Sequence, residues 1–436
     1  MAKKVVIIGG GFAGLACARS LIKNKDFEVT LLDKQNHHLF QPLLYQLASA
    51  TLAASDIARS LRGILSNVPN ISVFLDHAYD IDPVNKRVQG KERQYEYDYL
   101  LIASGTRTSW FGNEEWEKHT IGLKTMNDAY RIRQRVLSCL EKAEIIDDPN
   151  EQQRLMTVVI VGAGPTGVEL AGAFEDLAQH ALTSDFRRID PTNLRTILIQ
   201  SGDRILKAFS EEQSQAAKDH LQSIGVEVML NDRVVDVTHG QVSLKSGGEI
   251  EAHTIIWAAG VQASRVTCCL EVEKDRSGRL IVNPDLSLPA HPEIFVAGDV
   301  ANCKDANGIH VPGLAPAATQ MGAHVAKTLI EEHRLEGTKY KDKKLSLRPQ
   351  FKYWDKGIMA IVGREYAVVD GGKFKLKGRL GWLAWLFIHI LFLVGFRNKL
   401  SVLLQWIFAY IQRKPGSRVF ALRDKNWVLE PNGNTE

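Results

Sequence analysis

The sequence predicts an α/β protein: two Rossmann-like dinucleotide-binding folds, the second inserted in the first, then a C-terminal region of different character. Three observations carry this reading. A strand, a glycine turn and an Ala/Leu-rich helix follow one another twice, in VVIIGGGFAGLACARSL (residues 5–21) and VVIVGAGPTGVELAGAFEDL (158–177). Short β-branched runs follow each unit, as expected of parallel strands covered on both faces. Apolar strand character then returns late, in IFVAGD (294–299), as though the first fold were completed after the second.

Length and composition agree. A chain of 436 residues exceeds what one core usually serves, so two or three domains are expected. The five cysteines show neither CxxC nor zinc spacing, and a reducing compartment fits them. Lys3-Lys4 lead straight into the first strand, so no export segment is expected ahead of it. Residues 339–436 hold 19 Lys+Arg against 7 Asp+Glu, while residues 1–338 are net acidic. That asymmetry calls for an anionic partner, nucleic acid or membrane.

The elements follow in order. After the first unit come FEVTLLDK (27–34) and YLLIASG (99–105); after the second, TILIQ (196–200) and TIIWAAG (254–260). The polar, turn-rich stretches 71–88 and 226–244 read as β-meanders, and 323–332 as a helix. The expected domains are 1–120 and 286–338 for the first fold, 121–285 for the second and 339–436 for the C-terminal region.

Gly9, Gly11 and Gly14 form a GxGxxG between strand and helix. The spacing serves a tight turn, close backbone approach to a pyrophosphate and helix–strand packing, with the helix N-terminus facing the phosphates. Asp33 ends the second strand, where a carboxylate binds a ribose hydroxyl. Gly162, Gly164 and Gly167 repeat the fingerprint, but Gln200 stands where the acid would be. Gly105 and Gly260, ending neighbouring strands, are assigned to the first and second sites. Two fingerprints imply two dinucleotides, and hydride transfer from nicotinamide to flavin is the economical chemistry. An amide does not repel a 2′-phosphate, so NADH is the expected coenzyme with appreciable use of NADPH. Glu169 falls in the first turns of the second helix, either near the nicotinamide or as a dipole-compensating acid.

The C-terminal region carries two apolar stretches, 380–396 and 400–411. Lys373, Lys375, Lys377 and Arg379 precede the first, Arg397 and Lys399 follow it, and Arg413-Lys414 follow the second. Basic residues framing apolar surface disfavour nucleic acid and favour a lipid surface. Three readings stand: helices lying in the interface, a transmembrane hairpin, or a dimer interface or core helix. Trp382, Trp385, Trp406 and Tyr410 suit a headgroup boundary. His389 reads as a hydrogen-bonded packing residue, and His37 and His38 as loop packing.

Longer stretches add a resemblance. The two fingerprints, WAAG (257–260) and FVAGD (295–299) are similar to the two-dinucleotide-binding flavoproteins of the glutathione reductase kind. HHLFQPLLYQLASATLAASDIARSLR (37–62), FKYWDKGIMAIVGR (351–364) and GWLAWLFIHILFLVGFRNKL (381–400) resemble type II NADH dehydrogenases, the single-subunit NADH:quinone oxidoreductases. The resemblance covers nearly the whole chain. It implies non-covalent FAD with Asp299 on the ribityl chain, Gln46 beside the flavin and Glu169 as the acid beside nicotinamide and flavin. Lys356 matches a lysine near the quinone end of the flavin. Where the family carries an Ala-Gln pair, GLAPAATQMG (313–322) has Ala315-Pro316, with Gln320 one helical turn on. The helix start, Ala315 to Ala317, would still offer N–H groups to the flavin. The expected protein is a peripheral, monotopic NAD(P)H:quinone oxidoreductase that pumps no ions, on the cytoplasmic face of a bacterial inner membrane, with a homodimer left open. Rival readings are a ferredoxin reductase and a non-enzymatic NADH sensor; a sulfide:quinone oxidoreductase would need paired redox cysteines.

Overall fold

The computed structural model describes residues 2–183, 185–372, 374–412 and 418–419. Lys373, Arg413 and Lys414, counted above among the basic flanks, lie outside the described residues. In chain order the elements that position the sites begin with β1 (Lys3–Ile8), α1 (Phe12–Leu21), β2 (Phe27–Asp33), β3 (Ile71–Leu75) and β4 (Tyr99–Ile102). Next come β5 (Ile121–Gly122), α2 (Met126–Ile145), β6 (Thr157–Val161), α3 (Pro165–Asp176), β7 (Arg195–Ile199), β8 (Glu227–Met229) and β9 (Thr254–Trp257). The last are β10 (Ile294–Val296), α4 (Ala315–Glu336), α5 (Gly378–Phe392) and α6 (Phe396–Gln412). The chain divides into two compact units. One comprises Met1–Leu39, Ala58–Arg107 and Val261–Lys356; the other comprises Phe40–Ile57, Thr108–Gly260 and the residues from Gly357 onward.

The first unit is built on a parallel sheet in the order β10-β4-β1-β2-β3. Val5 to Ile8 and Tyr99 to Ile102 are buried without interruption, because a parallel sheet is covered on both faces. Val325 and Leu329 of α4 share one core with Ile7, Cys17 and Leu21. The late strand β10 pairs with β4, so the first fold is completed after the second in the chain.

The second unit repeats the plan as β5-β9-β6-β7-β8, every neighbouring pair parallel. The two expected meanders differ from the structure in the same way. Their first runs, β3 and β8, join the parallel sheets as edge strands. The antiparallel meanders begin later, at Ala78–Asp82 and Val234–Thr238. An edge strand is partly exposed, so polar residues such as Ser72 and Glu227 enter it and make it resemble a surface hairpin strand.

A three-stranded antiparallel sheet (Ile358–Ile361, Ala367–Asp370, Lys375–Lys377) leads to α5 and α6. At 15 and 17 residues, these helices are about 23 and 26 Å long. No described helix is long and apolar enough to cross a membrane. One face of α5 buries Gly381, Trp385 and His389, at helical spacing, while Leu380, Leu383, Phe387 and Leu391 stand exposed. On α6, Asn398, Val402 and Trp406 are buried, and Phe396, Leu400, Leu403, Leu404, Ile407 and Phe408 are exposed. Of the four aromatic residues expected at a headgroup boundary, two are placed otherwise, while Trp382 and Tyr410 are half-buried. Trp385 and Trp406 are buried, and the Trp382 indole N–H donates to the Tyr410 hydroxyl at 2.9 Å. The Trp406 indole N–H finds a partner in the Gln46 side chain, while Trp385 is held by ring packing against His389 and Trp406, and Leu and Phe are left as the outer face. His389 stacks on Trp385 and hydrogen-bonds its carbonyl through Nδ1 at 2.7 Å, the packing role expected of it.

Candidate active site

The first glycine turn leaves β1 at Gly9, whose φ of +106° belongs to glycine. A Cβ on Gly14 would collide with the Gly9 carbonyl oxygen, so α1 can start this close to the strand only with glycine there. Nothing stands within 4 Å of the Cβ position of Gly11, which keeps the turn open to a pyrophosphate. The Asp33 carboxylate accepts the Gly10 N–H at 2.6 Å and the Gln35 N–H at 2.7 Å. Burial pushes its carboxyl up, and these two N–H groups oppose that shift. His38 shares the turn, hydrogen-bonding the Gly10 carbonyl at 3.0 Å with its ring edge-on to Phe12.

Further along the same unit, Gly105 has a φ of +65° and its carbonyl accepts the Ser264 N–H at 3.1 Å. Asp299 follows β10, with Gly313 held against its carboxylate. Leu314 caps α4 in extended conformation, and Pro316 fits the first turn, where no N–H is needed. Ala317 is buried there. The open turn, the acid at the strand end and the helix start fit a flavin dinucleotide.

The second unit repeats this geometry. Gly162 has a φ of +105°, a Cβ on Gly167 would strike the Gly162 carbonyl oxygen, and nothing crowds Gly164. Gln200 Oε1 accepts the Ala163 N–H at 3.1 Å, the bond that Asp33 makes in the first unit. Beside the turn runs Ala258-Ala259, with the Ala258 N–H on the Val161 carbonyl at 2.8 Å. Gly260 (φ +79°) ends that run. Sequence reasoning missed Phe111, whose ring lies on Gly260 and whose own φ is +54°, an unusual conformation for a bulky residue. The WFGN turn at residues 110–113 was its only signal.

Glu169, in α3, is half-buried. Burial pushes its carboxyl well above the usual range, opposed only by a hydrogen bond from the Ile361 N–H. Such a group holds its proton above the pH at which an exposed carboxyl loses it, and can donate it. Gln46 is buried in the same unit, with both ends of its amide engaged. Its Nε2 donates to the Tyr45 hydroxyl and its Oε1 accepts the Trp406 indole N–H, each at 2.8 Å. It therefore ties α6 to the segment 40–57, a contact that spacing along the chain does not show.

In the first unit, Gln320 Nε2 donates to the Trp354 carbonyl and its Oε1 accepts the Trp354 N–H, each at 3.0 Å. The Lys356 ammonium lies 5.0 Å from the Trp354 ring centroid.

Residues 3–322 match the family model described as pyridine nucleotide-disulphide oxidoreductase. The chain is 39% identical, over 95% of its length and 89% of the relative's, to the type II NADH:quinone oxidoreductase Ndh of Mycobacterium tuberculosis. It belongs to the type II NADH:quinone oxidoreductase family. A second member, from Haemophilus influenzae, is 32% identical over 78% of this chain and 84% of its own. The fold matches NDH2 from Plasmodium falciparum, solved in complex with NADH, with a TM-score of 0.87 at 21% identity, covering 96% of this chain and all of that one. The sulfide:quinone oxidoreductase of Aquifex aeolicus aligns with a TM-score of 0.70 at 20% identity over 94% and 95%. This type II oxidoreductase has no CxxxxC after its first fingerprint. Its five cysteines are free, with Cys17, Cys139 and Cys303 buried. Burial pushes the Cys17 and Cys303 thiols up to about 12, which suits packing and not redox chemistry.

Proposed function

We propose that the chain oxidises NADH and reduces a quinone by way of FAD, without moving ions. The observation that carries this is 39% identity to a type II NADH:quinone oxidoreductase over 95% of the chain, with both dinucleotide turns intact. FAD, when bound, supplies the two-electron chemistry that links nicotinamide to quinone. Gly9, Gly11, Gly14, Asp33, Gly105, Asp299, Ala315 and Ala317 hold it. Gly162, Gly164, Gly167, Gln200 and Gly260 hold the coenzyme. Glu169 keeps a proton on the nicotinamide side, Lys356 places a positive charge at the start of α4, and Gln46 braces α6. Mixed anaerobically, NADH should bleach the bound flavin, and menaquinone or ubiquinone analogues should restore its colour within the turnover time. Reduced flavin that survives minutes with quinone present would support an NADH sensor instead.

The exposed apolar faces of α5 and α6 support a seat in the lipid interface, where a membrane quinone is dissolved. With Lys375 and Lys377 ahead of α5 and Arg379 in its first turn, they suit an anionic leaflet, and the cytoplasmic face is the side proposed. The expected division keeps 1–120 and 286–338 for FAD and 121–285 for the coenzyme. Within 339–436 the lipid-facing part begins at α5. The full chain should float with phosphatidylglycerol vesicles, and a chain ending before Gly378 should not, while keeping FAD. A chain that ignores vesicles but dimerises through this face would favour the homodimer.

A further inference from the structure

The chain after α4 does not leave the helix. It turns back and runs antiparallel along it, fastened at successive levels. Lys344 pairs with Glu332 at 3.1 Å and Glu336 at 3.7 Å. Arg348 is buried, giving Nε and Nη2 to Glu332 at 3.0 and 2.7 Å and Nη1 to Asp285 and the Pro292 carbonyl. His324 Nε2 donates to the Pro349 carbonyl at 3.1 Å, and its ring meets Phe351 edge-on. On the other side, the Phe351 N–H bonds the Pro284 carbonyl at 2.7 Å, and the Phe351 carbonyl accepts the Ala306 N–H at 2.8 Å. The last fastening is Gln320, whose amide gives Trp354 both bonds that a neighbouring β-strand would give.

The order of fastenings along α4 is 336, 332, 324, 320. Two residues beyond Trp354 reach at most about 7 Å of extended chain, roughly four helical residues of rise. Lys356 is thus within reach of the level of the first turn of α4, at Ala315 to Ala318. Both amide hydrogen-bonding ends of Gln320 are meanwhile turned to the Trp354 backbone, and Pro316 has no amide side chain to offer.

We propose that Gln320 is a positioning residue: it fixes the end of a strap, residues 344–356, that delivers Lys356 to the N-terminal turn of α4, and it does not itself touch the quinone. The inference rests on the NADH:quinone reading for the meaning of Lys356, but the strap stands on its own geometry. In this chain Trp354 and Lys356 are exposed, while both polar atoms of the Gln320 amide are engaged by the Trp354 backbone.

The test compares the FAD-loaded Gln320→Ala, Gln320→Glu, Lys356→Met and Gln320→Ala/Lys356→Met proteins with the parent. Alanine and glutamate both suit a helix, so α4 is retained. Amide hydrogen exchange across Trp354–Gly357 should quicken about tenfold in Gln320→Ala, the effect of losing two hydrogen bonds. Gln320→Glu, which keeps the acceptor for the Trp354 N–H, should fall between. Flavin reduction by NADH should stay within about twofold of the parent, while kcat for reoxidation by menadione falls about tenfold, as misplacement of a fixed group does. Adding Gln320→Ala to Lys356→Met should change reoxidation by less than about twofold. Unchanged exchange in Gln320→Ala overturns the strap. Full multiplication of the two single effects overturns the positioning role, because Gln320 would then act on its own. If the parent's reduced flavin is not reoxidised by any quinone, the functional reading fails, and exchange alone still decides whether Gln320 holds the strap.

Discussion

The two dinucleotide folds are near copies in backbone and differ at a few side chains. Their leading glycines share a φ within one degree, +106° at Gly9 and +105° at Gly162. Each sheet has the same five-strand order, with the strand of the fingerprint at its centre. Even the edge strand beside the fourth member comes from outside the local run, from after the second fold in one case and before it in the other. The differences fall where a ligand would be read. Asp33 becomes Gln200, Gly10 becomes Ala163, and Ala16, seven residues past the first glycine, becomes Glu169. The strand-end residue therefore has two separable tasks. Accepting the turn N–H needs only an oxygen, and both Asp33 and Gln200 supply one. Choosing between a hydroxyl and a phosphate needs a charge or its absence.

The largest effect should come from the shared backbone. Alanine at position 14 or 167 drives a methyl into a carbonyl oxygen that cannot move without undoing the turn. Gly14→Ala should give a protein purified without FAD, read from its absorbance. Gly167→Ala should keep FAD yet require about a hundredfold more NADH for half-maximal flavin reduction. Loss of FAD from both would break the comparison, since each turn would no longer serve its own ligand.

Next in size is the difference at Ala16 and Glu169. The Glu169 carboxyl is raised by burial, so it stays protonated as pH climbs past the ordinary value of 4.5 and ionises only above that. If its proton serves turnover, activity falls as pH rises through the raised value, and Glu169→Gln loses that limb together with about a hundredfold in kcat. Stability has its own sign. A folded pKa above the unfolded one means that the unfolded state releases the proton first, so Glu169 costs stability progressively as pH rises from about 4.5 to its folded value. Glu169→Gln should therefore gain on the parent in melting temperature as pH increases through that window. A pH-independent difference would mean that the carboxyl is not held in its neutral form.

Much of this was legible in the sequence because the glycine spacing encodes steric demands that any such turn must meet. The strand order followed, since short β-branched runs are buried on both faces. What stayed hidden depends on pairs far apart in the chain. Trp406 on Gln46 and Gln320 on Trp354 are ordinary residues until the fold joins them. Trp385 and Trp406 read as interfacial because composition gives a helix's apolarity but not which face turns inward. The edge strands β3 and β8 read as meander because partial exposure admits polar residues in either kind of sheet.

The smallest effect, and the sharpest test of the two tasks, is at the strand ends. Asp33→Asn should keep the bond to the Gly10 N–H and weaken FAD retention about tenfold, the loss of one charged hydrogen bond to a hydroxyl. Gln200→Glu should likewise keep the Ala163 bond while adding a charge that repels a 2′-phosphate. Its kcat/KM with NADPH should fall about thirtyfold, with NADH changed less than about threefold, measured side by side. Equal losses with both coenzymes would show that Glu disturbs the turn itself, and the amide would then be structural. A parent that already discriminates against NADPH by more than about a thousandfold, roughly 4 kcal/mol, would mean that Gln200 does not govern the choice. The selecting charge would then have to be sought around the turn, where Arg204 and Lys207 stand close to Asp203 and Glu211.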